Sequence, residues 1–71
     1  MKVKIYGADW CSDCISAKRF LKSNGIIFEY IDISKNIHAT RFVEKINNGK
    51  RVIPTIEING KIYINPGTNK L

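Results

Sequence analysis

Apolar and polar positions along the chain change their period several times, and each change marks an element. Val3 and Ile5 alternate with Lys2 and Lys4, which predicts a short strand over Lys2 to Tyr6 with the two aliphatic residues on one face. Gly7-Ala8-Asp9 then turns the chain. Cys14, Ala17 and Leu21 recur at helical spacing with Ile15 and Phe20 beside them, so a helix is expected from Ser12 to about Asn24, stopped by Gly25. Lys18, Arg19 and Lys22 suit its C-terminal half, where the helix dipole favours cations.

Ile26 to Ile33 is nearly continuous in β-branched and aromatic residues, as expected of a second strand covered on both faces. Ala39, Phe42, Val43 and Ile46 follow the i, i+3, i+4, i+7 rule, predicting a second amphipathic helix from Ser34 or Asn36 to Asn47, closed by Asn48-Gly49. Thr55 to Ile58 and Lys61 to Ile64 alternate on either side of Asn59-Gly60, the strongest two-residue hairpin signal, with Ile56, Ile58, Ile62 and Ile64 expected to face one way. The order is strand, helix, strand, helix, hairpin. It implies an α/β fold whose first two strands run parallel through a helical crossover.

Composition narrows the class. Seventy-one residues make one domain, 1–71, near the lower limit at which a hydrophobic core suffices unaided, and 44% hydrophobic with 25% charged residues reads as globular. No apolar run approaches the roughly 20 residues of a membrane span, and Met1 to Tyr6 lacks a signal-peptide core, so a cytoplasmic monomer with no membrane partner is expected. The net charge of +6 is spread along the chain without a dense cluster or aromatic platform; a solvated basic surface is expected, not a nucleic-acid partner.

Both cysteines fall in Asp9-Trp10-Cys11-Ser12-Asp13-Cys14, at the seam between the first strand and the first helix. Cys14 lies nearly one turn beyond Cys11, so the sulfurs can meet in a small ring that opens and recloses easily. Bridges that stabilise folds usually close longer loops, whereas strained, exposed ones are labile and oxidising. Redox chemistry is implied. Thiolate is the attacking species, and the unpaired N–H groups and positive dipole end at a helix start favour it. Cys11, nearer the helix start, is the expected nucleophile and Cys14 the resolving thiol. Simple core burial would not explain the pairing, and a closed zinc site takes four ligands where this chain adds only His38, expected to be exposed and unconnected to the chemistry. Within one chain neither metal nor cofactor is expected. Two chains could pool four thiolates around a metal or iron–sulfur cluster, which is the alternative from the class of binding proteins.

Trp10-Cys11-x-x-Cys14 after a first strand, Val52-Ile53-Pro54 before a hairpin, and this element order together resemble the glutaredoxin family of the thioredoxin fold. Trp10-Cys11-Ser12-Asp13-Cys14 and the late Asn65-Pro66-Gly67 are most similar to the branch that includes NrdH-redoxins and mycoredoxins. The resemblance implies a β-α-β-α-β-β four-stranded mixed sheet with a third helix, here truncated after about one turn. It implies a small thiol-disulfide oxidoreductase acting on protein or low-molecular-weight disulfides, with a reductase or thiol as electron donor. It further implies that Pro54 is cis beside the cysteines and that Ile53 offers its backbone to an extended substrate, a form of β-addition. Trp10 is expected as contact surface, Ser12 and Asp13 flank the sulfurs, and Arg51 with Lys50 either restores positive potential at the site or is ordinary solvated loop charge. Asp13 would oppose a thiolate on Cys11 and repel an anionic thiol, or simply favour the helix N-terminus. Glutathione-using members commonly carry Gly-Gly and an acidic pair after the last strand. This chain has Asn65-Pro66-Gly67-Thr68-Asn69, leaving Gly67 and Thr68 to offer backbone N–H groups but no carboxylate to hold an amine.

Overall fold

Strand β1 (Val3–Gly7) is largely buried along its length, and it takes the interior of the sheet. The computed structural model describes residues 2–65. In it β1 is followed by α1 (Ser12–Ser23), β2 (Glu29–Asp32), α2 (Ile37–Ile46), β3 (Thr55–Ile58) and β4 (Lys61–Ile64). The sheet order is β2-β1-β3-β4. Strands β1 and β2 are parallel, and β3 runs antiparallel to both β1 and β4. The expected mixed sheet with a helical crossover is present.

The helices begin and end where their sequence chemistry places them. Helix α1 stops in a Schellman motif: Gly25 takes the left-handed φ of +68, its N–H bonds the Lys22 carbonyl at 3.1 Å, and the Ile26 N–H bonds the Leu21 carbonyl at 2.9 Å. Ile26 also packs on the core that contains Leu21, the hydrophobic contact that goes with this motif. Helix α2 starts at Asn36, whose Oδ1 accepts the N–H groups of His38 at 3.0 Å and Ala39 at 3.2 Å.

Two layers of apolar contact hold the helices to the sheet. Val3, Ile5 and Ile56 meet Ala17 and Leu21 of α1 on one face; Tyr6 and Ile33 meet Ala39 and Val43 of α2 on the other. The Tyr6 and Phe42 rings stack at a tilt, centroids 5.0 Å apart, which ties β1 to α2.

Two expectations are corrected. The second strand is shorter than Ile26 to Ile33 and is not covered on both faces: β2 is a half-buried edge, because Ile26 is spent on the end of α1, Ile27 is exposed, and Ile33–Lys35 forms a 3-10 turn capped by Asp32. The hairpin isoleucines do not all face one way. A two-residue loop makes its flanking residues partners, Ile58 with Lys61 and Ile56 with Tyr63, and cross-strand partners share a face. Ile62 and Ile64 therefore lie opposite Ile56 and Ile58, with Glu57 and Thr55, and stay exposed. The expected third helix lies outside the described residues.

Because Asn36 satisfies two orphan N–H groups while His38 is exposed, Asn36→Ala should cost about 1 kcal/mol in urea unfolding, whereas His38→Ala should stay within about 0.5 kcal/mol. Equal effects would show that the cap does not hold α2.

Candidate functional site

Strand β1 delivers the chain to the cysteines through one tight turn. The Ala8 carbonyl accepts the Cys11 N–H at 3.1 Å, leaving Asp9 and Trp10 exposed at the tip, Trp10 with 77% of its surface free. Cys11 is the N-cap of α1, in extended conformation (φ −89, ψ 115). Its sulfur takes the place usually held by a Ser, Thr or Asp oxygen: Sγ accepts the Cys14 N–H at 3.3 Å. A group that accepts there is favourably placed to carry negative charge, since the helix dipole points its positive end at it. The helix expected from Ser12 puts Cys11 at the cap, where the structure has it, half-exposed.

Cys14 sits in the opposite environment. Both cysteines are free thiols, but Cys14 is fully buried. Burial pushes its thiol up to about 12, helped by the contact with Cys11 and by the charges of Cys11 and Asp13, while the Ala8 backbone pulls the other way. In the resting dithiol Cys14 keeps its proton at neutral pH. The burial depends on Gly7: a Cβ built there would stand 2.6 Å from Cys14 Sγ and 3.1 Å from its Cβ. No side chain fits between strand and sulfur.

The Ile53-Pro54 bond is cis. Tyr6 pairs with Thr55, and one further step of that register puts Pro54 across from Gly7, so the proline segment borders the turn that carries Cys11. Pro54 is buried, and Ile53 packs on the α2 side against the cluster of Tyr6 and Val43. Among the described residues, no hydrogen bond closes on the Ile53 backbone. Ser12 and Asp13 are exposed in the first turn of α1, beside the sulfurs. The Arg51 side chain is exposed, and its Nε–H donates to Glu44 Oε2 of α2 at 2.8 Å. His38 is exposed, as expected. Gly67 and Thr68 lie outside the described residues.

Two further residues belong to this site although sequence reasoning does not single them out. Gly7 reads as part of a turn, yet a glycine closing a strand beside a C-x-x-C pair is a signal of close backbone approach. Tyr30 of β2 lies next to Gly7, its Cε1 3.4 Å from where a Cβ would stand, and its hydroxyl is buried. Strand alternation alone could place it on the face of Ile5, its pairing partner, but not beneath Cys14. Among the described residues, no three His, Cys, Asp or Glu side chains gather to hold a metal ion, and no helix is long and apolar enough to cross a membrane.

Residues 3–63 match the family model described as glutaredoxin. A Mycobacterium tuberculosis protein named as a glutaredoxin is 34% identical over 68 residues, covering 94% of this chain and 81% of that protein. Mycoredoxin 1 of Corynebacterium glutamicum is 35% identical over 54 residues, 76% of this chain and 66% of the relative. Among solved structures, the glutaredoxin-like NrdH-redoxin from Escherichia coli superposes with a TM-score of 0.80 at 23% identity, covering 100% of this chain and 95% of the other. That likeness is one of fold.

Gly7→Ala should destabilise the reduced protein by about 1 to 3 kcal/mol through overpacking against Cys14, and the penalty should shrink in a Cys14→Ala background, where the sulfur is gone. Additive effects in this double-mutant cycle, measured by denaturant unfolding, would refute the close approach.

Proposed function

From the premise that this chain belongs to the glutaredoxin family and is a thiol-disulfide oxidoreductase, we propose that it reduces protein or low-molecular-weight disulfides by dithiol exchange through Cys11 and Cys14. The observation that carries this is the asymmetry of the two sulfurs. Cys11 is accessible and caps a helix with an N–H directed at its sulfur; Cys14 is buried one turn on and holds its proton.

The steps follow from that asymmetry. The Cys11 thiolate attacks a substrate disulfide, one substrate sulfur leaves as thiolate, and the other stays bonded to Cys11. Cys14 then attacks Cys11 Sγ, releasing the second substrate thiol and leaving a Cys11–Cys14 disulfide that an external donor reduces. Trp10, exposed beside Cys11, gives an apolar platform for the incoming partner. The N–H and C=O of Ile53, which make no hydrogen bond among the described residues, pair with an extended substrate segment next to Pro54. Ser12 and Asp13 border the approach to Cys11.

The electron donor is a reductase flavoprotein or a thiol other than glutathione. Asn65 to Asn69 contains no carboxylate to hold the amine of glutathione, and Asp13 adds negative charge beside the sulfur that an anionic thiol must reach. The Escherichia coli NrdH-redoxin, itself glutaredoxin-like, has a thioredoxin-like activity profile, which agrees with such a donor here.

Cys11→Ser should abolish exchange, and Cys14→Ser should trap mixed disulfides on Cys11 that mass spectrometry detects after incubation with a disulfide substrate. A stable adduct on Cys14 in Cys11→Ser, with none on Cys11 in Cys14→Ser, would reverse the assignment. In a panel of donors, reduction of the oxidised protein by glutathione should be slower than by a thioredoxin-type reductase. Efficient turnover in a glutathione-coupled assay would reject the donor reading.

A further inference from the structure

What reaches Cys11 is governed by the charges within a screening length of its sulfur. At physiological salt that length is about 8 Å, so the net +6 of the whole chain acts there only through its nearest members. Consecutive Cα atoms are about 3.8 Å apart, so a residue two positions from Cys11 has its Cα within about 7.6 Å whatever the backbone does. Both such residues are aspartates. Asp9 stands at the corner of the turn that the Ala8 carbonyl closes with the Cys11 N–H, and Asp13 is the second residue of α1. Along the chain the nearest cations, Lys4 and Lys18, are seven residues away on either side.

Both aspartates are exposed, and the ion pair found among the described residues joins Arg51 to Glu44 instead. Asp9 acts on the Tyr30 phenol, but burial and that carboxylate together keep the phenol protonated, so the charge of Asp9 is not cancelled. Of the cations on neighbouring elements, Lys18 lies over the Tyr30 ring with Nζ 4.0 Å from its centroid, Lys35 ends the 3-10 turn that Asp32 caps, and Arg51 has Glu44 at 2.8 Å. Lys50 is exposed in the loop before Ile53 and opposes the two aspartates. Trp10, between Asp9 and Cys11, has 77% of its surface free, an open indole on which a guanidinium or ammonium group can rest.

We propose that Asp9 and Asp13 determine which disulfides this protein reduces, selecting a peptide segment whose half-cystine has Arg or Lys beside it, an inference that rests on the reading of Cys11 as the nucleophile. The site is the sulfur itself, and the two carboxylates bias the encounter with it. A segment paired with the Ile53 backbone sets its half-cystine against Cys11 and its flanking residues toward the turn and the first turn of α1, where Asp9 and Asp13 stand. Each pair of unit charges roughly 6 Å apart in water changes that encounter by about threefold. Complementary charge of this kind acts mainly on the rate of association and on the choice of partner. The bonds made and broken are those of the exchange described above, with no further proton or electron.

Three symmetric peptide disulfides, alike except that the half-cystine is flanked by Arg, by Gln or by Glu, are mixed with the reduced protein. Loss of the Cys11 thiol is followed by acid quench, alkylation and mass spectrometry. Flanking charge alters the intrinsic reactivity of a disulfide, so each rate is divided by that of the same peptide with mercaptoethanol. At low ionic strength wild type should prefer the Arg peptide, and Asp9→Asn combined with Asp13→Asn should lower the Arg-to-Glu ratio about tenfold. Any change in the reactivity of Cys11 itself is common to the three peptides and cancels in the ratio. Asp9→Glu combined with Asp13→Glu should keep the ratio, and salt at about 0.5 M should shrink it in wild type but hardly in the Asn variant. A ratio that the Asn substitutions leave unchanged would overturn the proposal. So would a wild-type preference for the Glu peptide, which would show that Lys50 and the net charge govern the approach. If the Gln peptide leaves the Cys11 thiol untouched, the nucleophile reading fails and the proposal falls with it; if it reacts and the charged peptides do not differ, the proposal alone falls.

Discussion

The first turn of α1 can lie against the end of β1 only because Gly7 carries no side chain, with Cys14 Sγ 2.6 Å from where a Cβ would be. That contact sets the chemistry of the whole site. It draws Cys14 out of water and leaves Cys11, three residues earlier, at the helix cap. Two identical side chains thus meet opposite electrostatic conditions, one in a dry pocket that penalises charge and one at a dipole end that favours it. The division of labour between them is a packing result before it is a chemical one.

The sheet extends this contact into a surface. Because β1 is interior, the segment before β3 is carried to the same end of the sheet as the turn after β1, and the Tyr6 to Thr55 pairing aligns Pro54 with Gly7. Helix α2 and the Tyr6 and Phe42 rings brace that arrangement from the other face. Arg51, close in sequence to Ile53, pairs with Glu44 of α2 at the surface.

Much of this architecture is legible in the chain. Helix periodicity, Gly25, Asn36 and Asn59-Gly60 each act over a few residues, and local signals of that kind place elements well. The departures from expectation lie in relations between elements. The facing of Ile62 and Ile64 depends on hairpin register, which the two-residue loop in fact determines: partners flank the loop, so parity changes across it. The edge position of β2 depends on which strand the others choose as their centre, and an apolar run alone does not decide that. The two cysteines and Ile53-Pro54 can be read because their spacing carries chemistry. Gly7 leaves a weaker trace, a glycine closing a strand beside the pair, whereas Tyr30 leaves none, because its place depends on what comes near it from α1.

Charge and stability pull in opposite directions at this site. Burying Cys14 gives the reduced protein a well-packed, neutral thiol, yet the same burial raises the cost of the thiolate that resolution needs. The cap contact from the Cys14 N–H to Cys11 Sγ acts in the other direction, since it favours charge on the half-exposed sulfur without burying it.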